Sequence, residues 1–109
     1  MLQITGQARL FFCTHAVNMH KSFEGLSAIV EQIFPNELFS GAYFIFLNRR
    51  RDQLKVLYWD PDGLCIWFKR LEKGSFQRKK GEHFMLNRKE FFMLLEGIEP
   101  KQIQRRFSL

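Results

Sequence analysis

Three groups of side chains in this sequence are of types that could do chemistry. Asp60 and Asp62 stand two residues apart, with Asp52 eight residues upstream. Gathered carboxylates hold divalent ions, and two-metal sites drive phosphodiester chemistry. Within Asp60-Pro61-Asp62-Gly63, however, aspartate is the residue that bonds its own backbone in a tight turn, so these acids read as turn residues and not as a metal site. His15, His20 and His83 share no spacing with one another or with a thiol pair, which argues against zinc. Cys13 and Cys65 sit in apolar surroundings and read as small core side chains, too few for a disulfide framework. Ser22, Ser27, Ser40 and Ser75 lack the context of a nucleophile elbow. The sequence therefore predicts no catalytic residues, no metal and no cofactor.

The third group is cationic. The net charge is +6, and it is confined to one stretch. Within Phe39–Lys80 the basic residues are Arg49, Arg50, Arg51, Lys55, Lys69, Arg70, Lys73, Arg78, Lys79 and Lys80. Asp52, Asp60, Asp62 and Glu72 are the acids there, so ten against four accounts for the whole imbalance. These ten residues are the expected nucleic-acid-binding set, because clustered lysine and arginine provide the counter-charge for a phosphate backbone. The plainer alternative is that Arg49–Arg51 is merely a solvated hairpin tip.

The elements that must position these residues can be read from apolar spacing. Ala42–Leu47 is apolar at every position, as in a strand buried on both faces. Leu54–Trp59 and Leu64–Leu71 read as the strands of a hairpin. Proline second and glycine fourth in the Asp60–Gly63 connection suit a type I turn closed by a glycine of positive φ, that is, a bulged hairpin. In that register Leu54, Val56 and Tyr58 share a core face with Leu64, Ile66 and Phe68. The other face then shows Lys55, Leu57 and Trp59 beside Cys65, Trp67 and Lys69. Covered by a helix, Trp59 and Trp67 are core; left exposed, they suit base stacking or a protein interface.

Residues 8–13 form a short apolar run that could open the sheet, and Ser75–Phe76 could extend it. Phe23, Leu26, Ile29, Val30, Ile33 and Phe34 make one stripe of a helix over 20–34, with Asn18 as its cap and Pro35 as its stop. Gly25 inside it suggests a close approach by another element. A second helix over 87–97 carries a capping box in Asn87 and Glu90, a hydrophobic staple in Leu86 and Phe91, and Gly97 as a C-terminal stop. The fold class follows as α+β: an antiparallel meander of about 4–5 strands with two helices packed on it. One domain over 1–109 is expected, large enough to bury roughly two-thirds of its unfolded surface, with a basic tail, 101–109, that is frayed or forms a short edge strand. No apolar run approaches the ~20 residues of a membrane-spanning helix. The first residues lack the pattern of a secretory signal. A reduced, cytoplasmic compartment is the expectation.

Several blocks, in order, carry a family resemblance. These are Asn-Met-His-Lys-Ser-Phe-Glu-Gly-Leu (18–26), Phe39-Ser40-Gly41, Leu54-Lys55-Val56-Leu57-Tyr58-Trp59-Asp60, Asp62-Gly63, Cys65, Trp67-Phe68-Lys69-Arg70-Leu71-Glu72 and Leu94-Leu95-Glu96-Gly97-Ile98. From about residue 9 to residue 99 the chain resembles the small accessory protein of the insertion sequence 66 family of bacterial mobile elements. The resemblance implies a non-catalytic helper of DNA transposition, acting beside a larger transposase that does the strand chemistry. Two partners are thereby implied: DNA, or a transposase on which the protein docks without binding DNA itself. Three positions depart from the family pattern. Asn18 and His20 stand where aspartate and arginine are usual, and Arg51 stands where a glycine usually precedes Asp52.

Overall fold

The computed structural model describes Leu2, Ile4 and residues 6–77 and 81–96. Seven elements follow in the order β1 (Leu10–Phe12), α1 (Phe23–Ile33), β2 (Tyr43–Leu47), β3 (Gln53–Asp60), β4 (Gly63–Arg70), β5 (Phe84–Leu86) and α2 (Arg88–Leu95). The strands form one sheet in the order β4-β3-β2-β1-β5. This is the α+β sheet expected, with two differences from a pure meander. β1 pairs with β2 in parallel, Leu10 opposite Tyr43, because the intervening α1 returns the chain to the same end of the sheet. β5 closes the far edge antiparallel to β1. Ser75–Phe76 does not extend the sheet; Phe76 is instead a fully buried plug.

β2 is central and buried at all five positions, which is why its sequence shows no alternation. Its two sides serve two cores. Tyr43, Ile45 and Leu47 join Leu54, Val56, Phe91, Leu94 and Leu95 beneath α2. Phe44 and Phe46 join Leu57, Leu26 and Val30 beneath α1. The helices thus cover opposite faces of the sheet.

α2 starts as its local signals demand. The Asn87 side chain accepts from Glu90 N–H at 2.7 Å, and Asn87 N–H donates to Glu90 Oε1 at 3.1 Å; Gly97 lies outside the described residues. α1 differs. It begins at Phe23 with Ser22 in the cap position, and Ser22 makes no side-chain capping bond. Asn18 is not its cap: Asn18 Oδ1 takes the amide of His20 at 2.8 Å, an Asx turn two residues long. Nor does a distant element press on Gly25. A Cβ there would meet Lys21 Cβ at 3.1 Å, so the tight neighbour is the turn that leads into the helix.

The hairpin register also departs from the bulged turn. Asp60 pairs with Gly63 and Tyr58 with Cys65, leaving Pro61 and Asp62 alone in the loop, and Gly63 is not a positive-φ glycine. A slip of one residue exchanges the faces of a strand. Cys65, Trp67 and Lys69 therefore share the α2 face with Val56 and Tyr58, while Ile66 and Phe68 share the α1 face with Leu57 and Lys55. Trp67 is packed against the core under α2.

Candidate nucleic-acid interface

The basic end of the sheet is built on the connection between β2 and β3. Asn48 fixes this turn three times over: its Oδ1 accepts from the amides of Asp52 (3.1 Å) and Gln53 (3.0 Å), and its Nδ2 donates to Asp52 Oδ1 (2.7 Å). Arg51 closes the turn at φ +61°, a left-handed conformation that costs an ordinary residue roughly 1–2 kcal/mol. A glycine at that place is the natural solution, and Arg51 occupies it here. Arg51 O in turn receives the amide of Phe76 at 2.6 Å. The frame holds Arg49 and Arg50 out in water, and among the described residues neither makes an ion pair.

The ten expected cations divide into three sets. Arg49, Arg50, Arg70 and Lys73 are exposed and Arg51 is half-buried. Lys55 and Lys69 are used by the fold. Lys55 is only 8% exposed, and its ammonium donates to the carbonyls of Met19 (2.7 Å) and Lys21 (2.8 Å) while resting 5.0 Å from the centre of the Phe68 ring. Those bonds replace the water lost on burial, which an unpaired cation could not tolerate. Lys69 Nζ donates to Leu95 O at 2.7 Å, at the carboxyl end of α2 where a cation is favoured. Neither lysine is thereby offered to a phosphate. Arg78, Lys79 and Lys80 lie outside the described residues.

A second segment faces the basic turn. Val17 N–H donates to Leu47 O at 2.9 Å, the Asn18 turn follows, and Lys55 grips the carbonyls on either side of His20. His20 and Asn18 are thereby held against Arg49, Arg50 and Gln53 around a cavity of about 480 Å³. The sequence reading missed this partnership, since nothing in residues 16–21 signals that a buried lysine thirty-odd positions away anchors them.

His15 and His83 also come together, their ring centres 4.6 Å apart. Thr14 N–H donates to His83 Nδ1 at 3.1 Å, a bond only an unprotonated Nδ1 can accept. Burial pushes the His83 pKa down from its ordinary value, and the neighbouring His15 adds to this. The unfolded chain therefore takes up this proton first as the pH falls. The contribution of His83 to stability is complete above about pH 6.5 and declines below it. Among the described residues no three metal-ligating side chains converge. Asp60 and Asp62 sit exposed at the opposite end of β3.

The family described as "IS66 Orf2 like protein" matches residues 8–105. Two curated relatives come from Sinorhizobium fredii (strain NBRC 101917 / NGR234). Uncharacterized protein y4jC is 28% identical over 100 residues, spanning 90% of this chain and 86% of its own. Uncharacterized protein y4hO is 28% identical over 106 residues, spanning 95% and 92%. No solved structure matches.

Proposed function

The chain belongs to the IS66 Orf2-like family, accessory proteins of insertion-sequence transposition, and from that premise we propose that it assists transposition by binding DNA through its basic end, beside a separate transposase. The reading is non-catalytic: phosphodiester chemistry would be the transposase's. One observation carries it. Arg49 and Arg50 are held out on a turn whose backbone is pinned by Asn48, unengaged by the described residues, while two other expected cations are consumed inside the fold. A cation that stabilised the fold would be placed like Lys55. Two guanidiniums projected from a rigid frame suit a phosphate backbone.

The test is a double variant, Arg49→Ala with Arg50→Ala, which leaves Arg51 to close the turn. In fluorescence anisotropy, binding should weaken about equally on transposon-end and random DNA. The salt slope should flatten by roughly one unit for each phosphate that is no longer neutralised. A wild-type protein that binds no DNA near about 50 mM salt overturns the proposal.

A second reading, docking on the transposase without touching DNA, rests on the other end of the sheet. Phe39 is 61% exposed and meets Trp59 edge-on, ring centres 5.1 Å apart. Exposed aromatics of this kind are enriched at protein interfaces. Loss of transposase capture by Phe39→Ser, where the wild-type protein binds no DNA, would support that reading.

A further inference from the structure

The cavity between the Asn18 turn and the Arg49–Arg50 turn adjoins another. A neighbouring cavity of about 550 Å³ shares Met19, His20 and Gln53 with it and continues to Phe68 and Arg70 on β4 and to Glu72, which makes an exposed ion pair with Arg70 at 3.4 Å, open to exchange for a phosphate. Together they form one groove across the basic end, with Arg49 and Arg50 along one stretch and Arg70 along the other. Gln53 and Arg70 are directly paired across β3 and β4, so the sheet itself fixes that part of the floor. Phe68 stands further in, opposite Lys55.

Phe68 is what separates this groove from a plain cationic surface. It is 52% exposed, whereas Ile66, two residues earlier on the same face, packs against the core under α1. Single exposed apolar side chains are common and ask for no explanation by themselves. This one is braced: the Lys55 ammonium backs its ring at 5.0 Å, and that ammonium is fixed by two carbonyls. The ring is thus held in orientation, half in water, beside Arg70 and His20. A cationic groove with a braced aromatic ring is the combination by which proteins hold unpaired nucleotides, phosphates on the cations and a base on the ring. A duplex would not use it. Its bases keep their faces inside the stack, and Phe68 lies within a groove on a strand, not at a protruding tip that could wedge between base pairs.

We infer that the groove takes single-stranded DNA, with Phe68 stacking an unpaired base while Arg49, Arg50 and Arg70 hold the flanking phosphates. The inference rests on the reading that the basic end binds DNA and narrows it to one form of that partner.

Anisotropy titrations of the full chain with three labelled 20-mers of equal length test it: oligo-dT, an abasic strand with the same phosphates, and a random duplex. Oligo-dT should bind more tightly than both others, since the abasic strand keeps the charge and loses the base faces. Phe68→Ala should weaken oligo-dT binding by roughly five- to 150-fold, the range for removing one base stack. It should leave abasic binding and the salt slope unchanged, and Phe68→Trp should restore affinity. Equal binding of oligo-dT and the abasic strand overturns the inference even if no Phe68 variant folds, because that comparison uses wild-type protein. Tighter binding of the duplex overturns it too, while leaving DNA binding by the basic end standing. Failure to bind any of the three overturns both readings.

Discussion

The two turns of the central β2-β3-β4 meander solve the same problem in opposite ways. The β2–β3 turn is held by one side chain, Asn48, which satisfies two backbone amides and a carboxylate, and it forces Arg51 into the left-handed region. The β3–β4 turn is shorter, with only Pro61 and Asp62 between the paired Asp60 and Gly63, and no residue in it has positive φ. Its one added bond is local, from Asp62 N–H to Asp60 O at 2.5 Å, the i to i+2 bond of a γ-turn around Pro61. Both turns look alike as polar breaks in sequence. The first stores strain and depends on a specific side chain; the second needs only a residue with fixed φ. Strain held by an over-determined frame is what a presenting surface requires, whereas the unstrained turn does no more than connect strands.

That contrast can be broken at its strongest point first. Asn48→Ala removes three hydrogen bonds at a part-buried site and should destabilise the protein by about 2–3 kcal/mol in urea denaturation. A loss below about 0.5 kcal/mol would mean that the frame does not depend on Asn48. Arg51→Gly should stabilise by about 0.5–1 kcal/mol, the relief of left-handed strain less the greater freedom of glycine in the unfolded chain. A destabilised Arg51→Gly protein would show that the guanidinium contributes more than its backbone costs. The smallest effect belongs to the other turn. Gly63→Ala should stay within about 0.5 kcal/mol, because the position lacks positive φ and nothing lies within 4 Å of the added Cβ. A cost above about 1 kcal/mol would revive the bulged turn with a left-handed glycine. Asp62→Asn should be silent in the same assay.

The register of the hairpin shows why the sequence pattern does not specify that turn. Alternate residues of Gly63–Arg70 are apolar on both faces: Leu64, Ile66 and Phe68 on one, Cys65 and Trp67 on the other. Because α1 and α2 cover opposite sides of the sheet, either register buries a reasonable set, and the pattern cannot choose between them. The observed register takes Trp67 to the α2 core and leaves Phe68 at the basic end. The aromatic side chain that shares a face with Lys55 on β4 is consequently Phe68 and not Trp67, which the bulged register would have placed there.

What the sequence determined by itself was whatever depends on neighbours within a few residues. The capping box of α2 is complete at Asn87 and Glu90 because cap and partner lie one helical turn apart. The five buried positions of β2 follow from an unbroken apolar run, the stop at Pro35 from the proline ring, and the confinement of the net positive charge to Phe39–Lys80 from counting. Only the tertiary structure decided the rest. It set β1 parallel to β2, brought His15 to His83 across sixty-odd residues, and laid residues 17–21 against the Arg49–Arg50 turn. It also divided cations of one chemical type between the fold and the surface. Lysine and arginine look alike as charges in a sequence, but a long ammonium stem that reaches two orphaned carbonyls is worth most when buried, as at Lys55. A guanidinium with no such carbonyl in range keeps its hydration and stays outside, as at Arg49 and Arg50.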